Sequence, residues 1–134
     1  RCRVFFTIMR TFHVIGYCDR RTDMVLITGG AESGAKDFAL SIKKENDVIY
    51  RLDDLPIELG ISDFDEEIIQ KWWEDRNDEW GHLIFIHEEV GCGLVPESKV
   101  QRQQREIAGR IGCYFGKKAD QVYRVCCGLG ILIK

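Results

Sequence analysis

The sequence lacks most of the patterns by which a reaction type announces itself. Its six cysteines, Cys2, Cys18, Cys92, Cys113, Cys126 and Cys127, contain no CxxC pair. Neither a zinc site nor a disulfide framework is therefore indicated, and reduced thiols are expected. Adjacent Cys126 and Cys127 are expected on opposite faces of a strand. The histidines His13, His82 and His87 make no HxxxH or HExxH spacing, so no metal site is expected from them. No apolar run approaches the ~20 residues that cross a bilayer. "VFFTIM", Val4 to Met9, is short and continues into polar "RTFH", which fits no secretory leader. A cytoplasmic protein without a membrane partner is expected. Positive charge is also missing: 19 Lys and Arg against 22 Asp and Glu leave a net −3, which argues against a general nucleic-acid binder.

What is present fits one globular domain. A chain of 134 residues that is 45% hydrophobic can bury one core. Asp53 to Glu79 holds eleven acids against two bases, and Lys99 to Lys118 six bases against one acid; these read as solvated helix faces of opposite sign. "MVLIT", Met24 to Thr28, is a continuous apolar run of the kind buried on both faces of a parallel sheet. A helix is expected over Ser33 to Lys44, with Phe38, Ala39 and Ile42 inward, and a strand at "DVIY", Asp47 to Tyr50; together these make a βαβ unit. Ser62 to Trp80 shows helical spacing of Phe64, Ile68, Ile69, Trp72 and Trp73 behind a cap at Ser62 or Asp63. The tryptophans read as core anchors. "HLIFIH", His82 to His87, is a buried strand. A helix follows from Ser98 to Gly116, then a strand at Gln121 to Cys127, a turn at Gly128 and Gly130, and a final paired edge, "ILIK". The expected fold is a three-layer α/β arrangement, a mostly parallel sheet with a C-terminal β-hairpin. Met24 to Lys134 forms the domain, and Arg1 to Asp23 reads as an extension without assigned function.

Two stretches carry chemistry. "LITGGAESGAKDFAL", Leu26 to Leu40, has the order strand, glycine turn, helix of a phosphate-binding loop, in which main-chain N–H groups wrap phosphates. The nucleotide-binding candidates are Gly29, Gly30, Ala31, Glu32, Ser33, Gly34, Ala35 and Lys36. Against the GxxxxGK pattern followed by Ser or Thr, the lysine comes one residue late. "EEVGCGLVP", Glu88 to Pro96, follows a buried strand at its carboxyl end, where ligands bind in open α/β sheets. Asp37, Glu89, Gly91 and Gly93 are the further candidate ligand contacts, and Asp53 and Asp54 offer carboxylates to a magnesium ion.

Glu89 to Lys134, "EVGCGLVPESKVQRQQREIAGRIGCYFGKKADQVYRVCCGLGILIK", resembles the C-terminal part of the bifunctional adenosylcobinamide kinase / adenosylcobinamide-phosphate guanylyltransferase family of cobalamin biosynthesis. "LITGGAESG" is similar to that family's opening, a strand followed by TGGARSGKS. The resemblance implies a RecA-like P-loop fold and a homotrimer. It implies ATP or GTP with Mg²⁺ as cofactor and adenosylcobinamide as a further ligand. Phosphorylation of the aminopropanol arm would be followed by GMP transfer from GTP through a histidine-linked intermediate.

The departures are specific. Aligned glycine to glycine, Ala35 stands at the lysine position and Lys36 at the hydroxyl position. In the register shifted by one, Lys36 regains its role, Ala35 replaces the second glycine and Asp37 the hydroxyl. Glu32 replaces an arginine, and Glu88 replaces the asparagine ahead of EVG. The guanylylated histidine has no counterpart, so no catalytic residue is assigned. Two functions follow: an enzyme of this family, or a catalytically impaired paralogue that binds nucleotide or serves in assembly.

Overall fold

A computed structural model describes residues 23–77, 80–90 and 93–134. The extension expected at residues 1–23 lies outside these except for Asp23, and the candidate Gly91 lies outside them as well. Asp23 is no appendage: its carbonyl accepts the Leu83 amide at 3.1 Å, and its carboxylate stands 3.4 Å from His82 Nδ1.

Five strands form one sheet: β1 (Met24–Gly29), β2 (Val48–Arg51), β3 (Leu83–Glu88), β4 (Gln121–Cys126) and β5 (Leu129–Leu132). Their spatial order is β2-β3-β1-β4-β5. β1 runs parallel to both β3 and β4, β2 runs parallel to β3, and only β5 is antiparallel. The mixed α/β, mostly parallel sheet and the terminal hairpin are as expected. β1 and β2 are not neighbours, because β3 pairs with both.

Four α-helices are present among the described residues: α1 (Ala35–Ile42), α2 (Leu55–Leu59), α3 (Glu66–Asn77) and α4 (Lys99–Lys118). A 3-10 turn at Leu52–Asp54 joins β2 to α2. Period-two side chains of the central strands feed two cores. Met24, Leu26, Leu83 and Phe85 pack with Trp72, Trp73, Ile111 and Phe115 from α3 and α4. On the other face Ile27, Ile84, Ile86 and Val125 pack with Ala39 of α1. Trp72 and Trp73 are buried anchors, each within 6.3 Å of the Phe115 ring centroid.

Several expected boundaries move. α3 starts at Glu66 rather than near Ser62, because the Asp65 carboxylate accepts the amides of Glu67 and Ile68 at 3.0 and 3.3 Å and is the cap. α4 continues through Gly116 to Lys118. Its last carbonyls are closed by Lys134, whose ammonium donates to Gly116, Lys117 and Ala119 oxygens at 3.2, 2.9 and 2.6 Å. Ser98 occupies the N-cap position of α4 without a side-chain capping bond. The hairpin turns at Cys127 and Gly128, both at positive φ, and Gly130 lies within β5. Cys126 and Cys127 consequently do not diverge as strand neighbours would, and their sulfurs lie 3.9 Å apart.

Candidate functional site

The carboxyl ends of β1, β2 and β3 open onto a cavity of about 560 Å³. One wall is the segment Gly29 to Asp37, and Arg51, Asp53, His87 and Glu88 close the opposite side. Parallel strands place such a crevice at their carboxyl edge because the connections to the next helices diverge there.

The loop wall is held by its glycines. A Cβ on Gly29 would lie 2.4 Å from Ser33 Oγ and 2.9 Å from the Val125 carbonyl, so no side chain fits. Gly34, the N-cap of α1, has φ +88°, and a Cβ there would lie 2.9 Å from the Gly128 α-carbon. Gly30 meets nothing within 4 Å, and Ala35 is the first residue of α1 rather than a left-handed one. The two positions that demand glycine are therefore Gly29 and Gly34, the first and sixth of the unshifted alignment. In that register Ala35 holds the lysine position. Glu32 is left-handed, with φ 56°, an uncommon backbone state for a residue bearing a Cβ.

Few of the loop's main-chain donors are used. Ser33 N bonds the Gly30 carbonyl at 3.1 Å, and the helix ladder begins with Phe38 N to Gly34 O at 2.9 Å. Among the described residues, the amides of Ala31, Glu32, Gly34, Ala35, Lys36 and Asp37 meet no protein acceptor. Ser33 Oγ is likewise buried without a hydrogen-bond partner. The start of α1 thus presents unpaired N–H groups beside a cavity, where a helix dipole favours negative charge.

The opposite wall is a small charged constellation. The Asp53 oxygens accept the Glu88 amide at 3.3 Å, stand 3.4 Å from His87 Nδ1 and 3.8 Å from the Arg51 guanidinium. Arg51 also reaches Glu88 at 4.0 Å. His87 is buried, and Nδ1 approaches Asp53 without the alignment of a hydrogen bond. Its Nε2 edge rests on α4 at Gly112, where a Cβ would come within 2.5 Å. One nitrogen faces a carboxylate and the other a helix backbone, so the ring is lodged rather than aimed outward. His82 sits at the far end of the strand with Asp23.

Other expected contacts fall elsewhere. Glu89 does not line the cavity: its amide donates to the Gly29 carbonyl at 2.8 Å, one oxygen accepts Thr28 Oγ1 at 3.4 Å, and the other meets Arg124 at 3.3 Å. It ties β1 to β4. The Gly93 carbonyl accepts the Arg105 guanidinium at 3.2 Å and is likewise off the cavity. Asp54 is absent from the lining, whereas Asp53 is present. Arg51 was not a sequence candidate. Its position at the carboxyl end of a short strand was the available signal, but only strand order shows that β2 ends beside the loop.

Residues 61–133, more than half of the chain, match the family described as cobinamide kinase / cobinamide phosphate guanyltransferase. The chain belongs to this family. It is also similar to the bifunctional adenosylcobalamin biosynthesis protein CobU of Salmonella typhimurium and to that of Escherichia coli, in each case with 40% identity over 52 residues. That stretch is 39% of this chain and 29% of either relative, so the likeness spans less than a third of the relatives' length. The family match starts after the Gly29 to Lys36 loop, and covers β3, α4 and the hairpin. The resemblance noted for Glu89 to Lys134 lies almost wholly within it. Among the described residues no helix is long and apolar enough to cross a membrane.

Proposed function

We propose that this member of the cobinamide kinase family binds the polyphosphate of GTP or ATP at Gly29 to Lys36, in a P-loop-like site of RecA type. The observation that carries the reading is the set of unpaired amides of Ala31, Glu32 and Gly34 to Asp37 at the start of α1, beside a cavity large enough for a ligand. Family membership supports nucleotide and cobinamide-type substrates, and a homo-oligomer is a further part of the same proposal.

The residues fit Mg²⁺ only as an ion carried in on the nucleotide. Among the described residues no group of three His, Cys, Asp or Glu side chains converges on a metal position. Asp37 and Asp53 line the cavity as single carboxylates, and magnesium ordinarily uses one or two of these plus phosphate oxygens. The ion would supply charge neutralisation when bound; Asp53, anchored by the Glu88 amide, and Asp37 are the cavity carboxylates that would hold it.

Transfer chemistry is impaired in this reading. A charged hydrogen bond is worth about 1.5–3 kcal/mol, so Ala35 at the lysine position weakens binding roughly ten- to a hundred-fold. Transition-state stabilisation suffers more, because charge redistributes over the phosphoryl oxygens there. Glu32 adds a negative charge beside the anion site. His87 is lodged between Asp53 and the α4 backbone at Gly112, a setting that restricts the ring's approach to a phosphorus atom.

The test is a thermal melt with Mg²⁺ and GTP or ATP, followed by incubation with α-labelled GTP. A modest rise in melting temperature is expected, nearly unchanged in Lys36→Ala and lost in Gly34→Val, with no acid-labile covalent label. An unmoved melting temperature defeats the nucleotide reading. A large loss in Lys36→Ala restores the shifted register, and a label on His82 or His87 restores the transferase.

A further inference from the structure

The hairpin turn that touches the candidate loop carries two adjacent thiols. Cys126 ends β4, and Cys127 and Gly128 are the two residues of the turn, with φ 51° and 76°. Two consecutive positive φ values belong to a type I′ turn, whose first position favours Asn, Asp or Gly. Turn chemistry gives no reason for cysteine there. The left-handed backbone instead brings the Cys127 sulfur round to 3.9 Å from that of Cys126, and both residues are exposed.

The same turn braces the loop. The Gly128 amide donates to the Ser33 carbonyl at 2.8 Å, and the Gly128 α-carbon fills the space a Cβ on Gly34 would need. Two residues further, Gly130 lies under the Phe38 ring of α1. Whatever turns the Cys126–Cys127 unit therefore acts on Ser33 and Gly34.

We propose that Cys126 and Cys127 form a reversible vicinal disulfide that releases the turn from the Gly29 to Lys36 loop. A hydroperoxide is the oxidant. One thiolate attacks its O–O bond, forming an S–O bond and expelling hydroxide or alkoxide, which takes up a proton. The second thiol then attacks that sulfur, forming S–S, breaking S–O and releasing water. Two thiols are oxidised and the hydroperoxide is reduced by two electrons. Adjacent α-carbons are about 3.8 Å apart across a trans peptide, short of the roughly 4.4–6.8 Å usual for a disulfide. The ring therefore closes only if the 126–127 backbone turns, and that rotation withdraws the Gly128 amide from Ser33. A bridge under such constraint is readily reduced, which makes the change reversible.

The full chain provides a clean readout. Cleavage after Arg124 liberates Val125–Lys134, a peptide holding these two cysteines and none of the other four. After treatment with hydrogen peroxide, alkylation and unreduced digestion, this peptide should be two hydrogens lighter and unalkylated. Dithiothreitol should reverse both effects. Hydrogen exchange at the Gly128 amide should accelerate at least about tenfold in the oxidised chain, as expected for a lost protecting bond. Cys127→Asn, which suits the turn, should show neither change. Full alkylation of the peptide, or its cross-linking to Cys113 or to a second chain, overturns the proposal. So does a closed ring that leaves Gly128 exchange unaltered. The measurement requires no nucleotide, so its outcome is separate from that of the nucleotide reading.

Discussion

The two faces of the sheet are built to different ends. On the α3/α4 face, fifteen buried residues form the core among the described residues, with Phe85 and Phe115 ring centroids 4.7 Å apart. On the α1 face only five are buried, and the helix that covers them starts from the loop with open amides. One face secures the fold, and the other leaves main-chain donors unspent. A site that must accept an anion cannot also satisfy its own N–H groups, so it depends on stability supplied across the sheet.

The sharpest test of that division is Phe115→Ala. Removing a fully buried ring should cost about 3–5 kcal/mol, a large share of the stability of a domain this size, seen as a lower denaturant midpoint. If the cost is small, the α3/α4 face is not the stabilising one. Next, Gly130→Ala places a methyl within 2.1 Å of the Phe38 ring and should cost about 1–3 kcal/mol while displacing α1. It should erase the nucleotide-dependent melting shift at temperatures where the chain is still folded; a retained shift would separate the hairpin from the loop. Lys134→Ala removes the closure of the α4 carbonyls and should cost about 1 kcal/mol, with no effect on the nucleotide shift.

The smallest effect concerns acid. Hydrogen bonds from the Tyr50 hydroxyl (2.5 Å) and Trp72 Nε1 (3.1 Å) hold the Glu58 carboxyl below its usual range, with Arg76 adding at 2.9 Å. Burial first, then the Glu58 bond, pushes the Tyr50 phenol up. Because the folded carboxyl is the more acidic, its contribution is present above the unfolded value near 4.5 and fades as pH falls through the lower folded value. Glu58 is well exposed, so solvent screens most of this. Urea midpoints of Glu58→Gln should therefore differ from the parent by a few tenths of a kcal/mol at neutral pH, and converge with it in acid. A gap that widened in acid would show that Glu58 acts otherwise.

Much of this comparison is legible in the residues themselves. The continuous apolar runs from Met24 and Leu83 cannot be solvated, and they became the central strands. The inward set Phe38, Ala39 and Ile42 placed α1 on the sheet. The helix ends were harder to read: Asp65 rather than the expected Ser62 or Asp63 caps α3, since nearby polar side chains are told apart as caps only by final geometry. Gly116 reads as a stop, yet α4 passes through it because Lys134, eighteen residues on, closes the carbonyls beyond. The cavity's second wall was hidden for the same kind of reason. Arg51, Asp53 and His87 lie well beyond the glycine loop in the chain, and meet it because of the strand order β2-β3-β1.

By itself, then, the sequence determined the α/β class, the buried strands, the glycine loop and membership of the cobinamide kinase family. The class, the strands and the loop depend on local periodicity and on short-range backbone demands, which travel with the residues, whereas membership rests on the motif resemblance and the match over residues 61–133. Only the tertiary structure decided that Gly29 and Gly34, rather than Gly30, are the constrained glycines. It also decided that His87 is lodged between Asp53 and Gly112, and that the Cys127–Gly128 turn braces the loop. Each of these is a contact between segments distant in the chain, set by strand order and by excluded volume, which no single stretch of sequence specifies.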